Sequence, residues 1–404
     1  MDQKLHILCV SRYFKGVDYL VTAAKEGHSV FLLTSSKLKE EEWPWDFITD
    51  SYFMEEDIDG KWNHQHLIDG LAFVMRKIKF DIFTALDDFD VEHVAMLRAY
   101  FRIPGMGETT AQYFRDKLAM RIKAHDSGIP VPEFTSLFND AEIEWFSKNV
   151  PLPWLIKPRM QASATGIRKI YDVDSLWTII HELGEKRHEY LLERFAPGQV
   201  YHADALCFQG KVVFCSISGY LDTPFDVAHG GGIFRSVTLD PAQDEYLPIK
   251  SLNNKILSAF GLQYSATHTE FIKSSVDGSI YFLETASRVG GAHIAEMVEA
   301  ATGVNLWSSW AKLEICERLH ISFTADESSS SHAGIIISLC KEEYPDTSSF
   351  DDPEICWRLH KKNHIGFIVK SNNRERILYL LDKYTSRIKE EFHASLPAPD
   401  KPSN

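Results

Sequence analysis

The sequence contains no run of 18 apolar residues, so it offers no simple membrane-spanning helix. Its opening, Met1 to His6, lacks the long apolar core of a secretory signal, and a cytoplasmic location is expected. Six cysteines (Cys9, Cys207, Cys215, Cys316, Cys340 and Cys356) are scattered without a Cys-x-x-Cys pair, which argues against disulfides and zinc and for reduced core residues. Basic residues are in deficit: 43 Lys and Arg against 57 Asp and Glu give a net charge of −14, which opposes binding to nucleic acid or an anionic membrane. Histidine is not scarce, but neither His64 and His66 nor His360 and His364 have the cysteine or acidic neighbours of a metal site. Internal repeats are absent. What remains is a 404-residue chain, 44% hydrophobic and 25% charged, long enough for two or three domains and best suited to small-molecule chemistry.

Residues 4–10 read as a buried parallel strand, 16–26 as a helix and 29–34 as a second strand, a β-α-β unit. The turn between them, Ser11 to Gly16, lacks spaced glycines, so no nicotinamide cofactor is assigned. A further strand at 80–86 leads to Asp87, Asp88 and Asp90 and then a helix to about Tyr100. Acids suit a helix N-terminus, although the carboxyl end of a parallel strand is also where Asp87 or Asp88 could face a substrate. After a break at 103–107, a helix containing Phe114 to Arg121, with Lys117, is stopped by Gly128-Ile129-Pro130-Val131-Pro132.

Three later stretches carry chemistry. In 154–170 a strand delivers Lys157-Pro158 to a loop of small residues, including Ser163 and Gly166, whose backbone N–H groups could approach phosphate oxygens. Around 225–235, three consecutive glycines (230–232) predict a loop that stays mobile until a ligand arrives, with His229 an ordinary loop residue. In 266–294 two strands are joined by Asp277-Gly278, a strong hairpin signal, and each carries one carboxylate, Glu270 and Glu284. Two glutamates alone are more often solvent-facing. Glu284, however, follows the apolar Tyr281-Phe282-Leu283 and needs a partner or a metal. Mg²⁺ takes one or two carboxylates plus substrate phosphates. A helix over 292–302, a second over 305–320, a polar loop at 326–331, strands at 332–340 and 365–370, a helix over 374–392 and a proline-rich disordered end complete the pattern.

The stretch Phe282-Leu283-Glu284-Thr285-Ala286-Ser287-Arg288-Val289-Gly290-Gly291-Ala292 resembles the metal-binding segment of the ATP-grasp superfamily. The Lys117 helix, the Lys157 loop and Tyr190 to Gly198 resemble its other motifs, in family order over residues 1 to about 320. The resemblance implies an α/β and α+β architecture. A Rossmann-like domain (1–110) would precede an ATP-grasp domain (111–320) with a mobile lid (128–192) and an antiparallel-sheet core. A small C-terminal α+β lobe (321–394) and a disordered tail (395–404) would follow.

ATP and Mg²⁺ are the implied cofactors. Glu270 and Glu284 would hold metal. Lys117, Lys157, Ser163 and Gly166 would hold phosphates. Glu193 would accept from the adenine amine, the backbone of Arg194, Phe195 and Ala196 would read the purine edge, and Ile156 and Phe195 would clamp the ring. His202 or Asp204 would touch ribose or lid, with the polar face of an alternating strand an equally good reading. Arg235 would steer the γ-phosphate or a substrate carboxylate, and Arg288 would stabilise the transferred phosphoryl group. Ala286 stands where the family has an Asn ligand, leaving a second metal one ligand short.

The implied activity is ADP-forming ligation of a small carboxylate to a small amine through an acyl phosphate, with an L-amino-acid (dipeptide) ligase as its narrower form. Biotin carboxylase-like chemistry ranks lower because the sequence has no biotinyl-lysine domain. Ala286 keeps open a non-catalytic ATP-binding module. A homodimer is compatible with either reading.

Overall fold

Residues 3–58, 60–161, 165–325 and 331–395 are described by a computed structural model. Ser163, the polar stretch from 326 to 330, the tail from 396 and the side chain of His229 lie outside the described residues. Among the described residues no helix is long and apolar enough to cross a membrane.

The first domain contains strands β1 (His6–Ser11), β2 (Ser29–Ser35), β3 (Asp50–Met54) and β4 (Ile82–Ala85), with helices α1 (Val17–Lys25), α2 (His64–Val74) and α3 (Val91–Phe101). The strands form one parallel sheet in the order β3-β2-β1-β4. Strand alternation explains why their apolar runs are nearly continuous. Leu8, Val10, Phe31 and Leu33 pack with α2 and α3 on one face. Ile7, Cys9, Val30 and Leu32 pack with Tyr19 and Leu20 of α1 on the other.

Helices α4 (Glu108–Gln112) and α5 (Lys117–Asp126) lead to the second unit. Sequence periodicity carried the helix back through Phe114, but α5 starts at Lys117. Asp116 caps it, its side chain accepting from the Leu118 N–H, as a short acid at this position favours. Strands β5 (Phe134–Ser136), β6 (Trp154–Pro158), β7 (Arg168–Ile170) and β8 (Tyr190–Arg194) form an antiparallel sheet in the order β5-β8-β6-β7, backed by α6 (Asp140–Asn149) and α7 (Val173–Leu183).

The third unit is built on β9 (Gly198–Phe208), β10 (Lys211–Tyr220), α8 (Pro224–Gly230), β11 (Phe234–Thr238), α9 (Tyr246–Ala259), β12 (Ser265–Ser274), β13 (Ile280–Ala286), α10 (Ile294–Thr302) and α11 (Leu306–Leu319). It continues through β14 (His332–Leu339), β15 (Ile355–Arg358), β16 (His364–Ser371) and α12 (Arg374–Glu391). All eight strands share one antiparallel sheet, β13-β12-β9-β10-β11-β14-β16-β15. The C-terminal strands therefore extend the central sheet through the β11–β14 pairing instead of building a sheet of their own. Helix α10 covers the face of Ala333 and Ile335, and α12 covers the face of Ile336 and Phe367.

The segment 225–235, expected to be a loop, is mostly helix and strand. Thr223 caps α8 by accepting from the Asp226 N–H, Pro224 occupies its first turn, and Gly231 ends it at φ 63°. Proline at the start and a left-handed glycine at the stop favour a short helix here.

Glu314 fastens the first domain to the third. This buried carboxylate of α11 accepts from Tyr19 Oη of α1 (2.5 Å), from Thr84 of β4 and from Trp310 Nε1 (3.1 Å). Burial raises its pKa. A raised folded-state value contributes stability that is complete below the unfolded carboxyl range and lost as pH rises through the folded value. Glu314→Gln should therefore gain stability relative to wild type as pH is raised, whereas Glu314→Ala should cost about 2–3 kcal/mol by leaving donors unpaired. Urea denaturation at several pH values checks both signs.

Candidate active site

The strand pairing sets the site. Glu270 of β12 lies directly opposite Glu284 of β13, so both carboxylates project from one face of the sheet. A bulge follows: Phe271 pairs with Phe282, leaving Leu283 as the extra residue, its carbonyl free to accept from Arg121. Two facing acids require cations or donors. Tyr220 Oη donates to Glu270 Oε1 at 2.8 Å, and Lys117 Nζ sits 2.8 Å from Glu284 Oε2. Lys117 also donates to the Gln161 carbonyl at 2.6 Å, which links α5, the loop after β6 and the acid pair.

The first domain reaches the same place through Asp88, at the carboxyl end of β4. Its Oδ2 accepts from Arg115 Nη1 at 3.0 Å and lies 3.8 Å from Arg288 Nη2. Asp88 Oδ1, Arg115 Nε and Arg288 Nε are buried without a protein partner among the described residues. Asp87, by contrast, caps the turn before α3 and pairs with Lys15 at 2.5 Å.

Electrostatics favour the charged form of Glu270. Burial pushes Glu270 up, but His268 and the Tyr220 hydrogen bond outweigh it and lower its pKa. Burial, with Glu270 beside it, raises the Tyr220 phenol well above its usual range, so it remains a donor. Arg288 is disfavoured by burial, yet Asp88, Asp87 and Glu284 raise its pKa further. Glu270 and Glu284 supply two hard oxygen ligands, Glu284 already facing the Lys117 side chain, a donor set that fits a Mg²⁺ ion.

Beyond the acid pair, Glu193 of β8 is fully buried and shared. Arg121 Nε donates to Oε2 and Lys157 Nζ to Oε1, each at 2.5 Å. Burial would raise Glu193, but Arg121 and Lys157 prevail and lower it. Burial, opposed by Glu193, lowers Lys157. Lys117 and Arg121 stand one helical turn apart on α5, which brings one to each acid cluster.

No family model matches the chain. Over 244 residues, 58% of this chain and 58% of the other, it is 29% identical to an L-arginine-specific L-amino acid ligase of Bacillus subtilis. The chain thus spans a little over half the length of that curated relative. The solved L-amino acid ligase of Bacillus licheniformis superposes with a TM-score of 0.72 at 16% identity, covering 98% of this chain and 100% of that one. An N5-carboxyaminoimidazole synthetase of Staphylococcus aureus, complexed with ADP, gives a TM-score of 0.72 at 15% identity over 95% and 98%. The chain has the ATP-grasp fold.

Within the ATP-grasp frame, Glu270, Glu284, Lys117 and Arg288 gather in one cluster, with Lys157 and Glu193 joined to it through Arg121 of α5. Three expectations are corrected. Arg235 lies on the opposite face of the sheet from Ser236, which bonds His202, and it is held by Asp222 (2.7 Å) and Asp382 (2.8 Å). Strand alternation therefore points it toward α12 and away from the acid pair. His202 is wholly buried with both ring nitrogens engaged, by Asp204 at 2.6 Å and Ser236 at 2.8 Å, so it is a structural residue and not a ribose contact. Ile156 points into the core of the second sheet, and Leu155 instead shares the Lys157 face.

The hinge is partly occupied. Arg194 and Phe195 N–H groups donate to the Glu133 and Pro153 carbonyls, while the Ala196 N–H has no acceptor among the described residues. Lys169 lies over the Phe195 ring at 3.5 Å, and the Arg194 side chain pairs with Glu133. Glu193 already serves two cations, so any amine it received would be a third partner. Gly166, at φ 72°, brings its loop against β6, where a Cβ would meet Pro158 Cγ at 2.9 Å.

Arg115, Arg121 and Tyr220 were not anticipated. The i, i+4 spacing of Lys117 and Arg121 was the available signal for one of them. Tyr220 has no local signal, because only the β9–β10 and β9–β12 pairings bring it to Glu270. Arg121→Met should destabilise the protein by about 3 kcal/mol, since it strips one partner from a buried carboxylate. An unchanged urea midpoint would contradict that role.

Proposed function

We infer that this protein is an ADP-forming carboxylate–amine ligase acting on small molecules, and in its narrower form an L-amino-acid ligase joining two amino acids. The observation that carries this reading is the convergence of Glu270 of β12, Glu284 of β13, Lys117 of α5 and Arg288 of the loop after β13 beside Asp88 at the carboxyl end of β4. Similarity to proteins described as amino acid ligases supports the substrate class. A cytoplasmic location suits an enzyme that consumes ATP.

Phosphoryl transfer needs positioning and charge neutralisation more than a protein nucleophile. Glu270 and Glu284 would hold Mg²⁺, which supplies Lewis-acid neutralisation of the phosphates. Lys117 would turn from Glu284 to the phosphates when the metal takes its place. Lys157, fixed by Glu193, would meet the inner phosphates, and the Ala196 N–H would read the purine edge. A substrate carboxylate oxygen attacks the γ-phosphorus, the bond to the β-phosphate oxygen breaks, and ADP leaves. The amine then attacks the acyl carbon, phosphate departs with the carboxylate oxygen, and the amine proton goes to solvent or phosphate. Arg288, buried with a free Nε, would hold the transferred group and the tetrahedral adduct.

Arg288→Ala should lower turnover by about 3–4 kcal/mol in barrier height, the cost of one preorganised donor. The assay is ADP and phosphate release from Mg·ATP with a panel of amino acids. Near-normal ADP release by the variant would overturn the role of Arg288. Bound ATP without substrate-dependent release by wild type would favour a binding module.

A further inference from the structure

Across the β12–β13 pair, Glu270 faces Glu284 and His268 faces Ala286, so these four side chains share one patch of one sheet face. Ala286 brings no donor atom to it. His268 does, and its ring is fixed from behind. Its Nδ1 lies 2.9 Å from Asp204 Oδ1, and the other Asp204 oxygen is taken by His202. Gly290 leaves room for this pair, because a Cβ there would stand 2.8 Å from Asp204 Oδ1 and 3.0 Å from His268 Nδ1. With Nδ1 committed, Nε2 is aimed at Glu270 Oε1 at 3.6 Å and Tyr220 Oη at 3.5 Å, both long for hydrogen bonds.

We propose that His268 is a third protein ligand of the cation site, its Nε2 giving up its proton to solvent as the ion binds and supplying the donor that Ala286 cannot. This rests on the reading that Glu270 and Glu284 hold the metal. Two ligands of one ion, each bonded at about 2.1 Å, stand roughly 3–4 Å apart, which His268 Nε2 and Glu270 Oε1 already meet; Glu284 would have to turn toward them as Lys117 leaves it. A carboxylate behind the imidazole is the usual means of fixing the tautomer and orientation of a ligating histidine. A nitrogen donor also shifts the preference of the site from Mg²⁺ toward Mn²⁺ or Co²⁺.

The test is pulsed EPR of the Mn²⁺·ADP complex of the full chain, made with natural-abundance and with ¹⁵N-labelled histidine. A histidine ¹⁴N modulation replaced by ¹⁵N in the labelled protein is expected. His268→Gln should lose it and weaken Mn²⁺ binding about 10-fold or more. Mn²⁺ binding that depends on Glu284 but shows no histidine coupling in the labelled wild type overturns the proposal alone, leaving His268 as an ion-pair partner of Glu270. Mn²⁺ binding indifferent to Glu284→Gln overturns the metal reading and the proposal together.

Discussion

Two carboxylates cannot sit opposite each other on adjacent strands without compensation, and most of the site follows from that constraint. Glu270 and Glu284 share one register position, so their charges repel unless donors and cations intervene. Tyr220 answers from β10 and Lys117 from the start of α5. On the proposed reading, Lys117 stands where a divalent cation would, and it would pass from carboxylate to phosphate at little electrostatic cost. The bulge after Glu270 adds to this by freeing the Leu283 carbonyl for Arg121.

The same logic recurs one layer deeper. Glu193 is fully buried and would be intolerable alone, yet Arg121 and Lys157 satisfy both of its oxygens. Helix α5 thus serves two acids from one face, and its placement depends on the Asp116 cap. Glu314, holding α1, β4 and α11 together, fixes the end of β4 from which Asp88 reaches Arg115 and Arg288.

What was legible in the sequence depended on how local the determinant was. The parallel sheet of the first domain and the hairpin carrying the two glutamates were readable, because apolar runs and Asp277-Gly278 act over a few residues. Arg235 was misread because its side of the sheet is fixed by pairing with β10 and β14, not by its neighbours. His202 looked like a ligand contact for the same reason. Its partners, Asp204 and Ser236, include one supplied by a distant strand. The glycine run suggested a loop, but Thr223-Pro224 starts a helix there. The joining of the C-terminal strands to the central sheet through β11 and β14 leaves no trace in local periodicity.

Carboxylate activation through an acyl phosphate is the central claim, and isotope transfer tests it most directly. An amino acid labelled with ¹⁸O in its carboxylate, ligated in the presence of Mg·ATP, should deliver one ¹⁸O atom to inorganic phosphate. Label appearing in AMP, or product formed with unlabelled phosphate, would contradict the account.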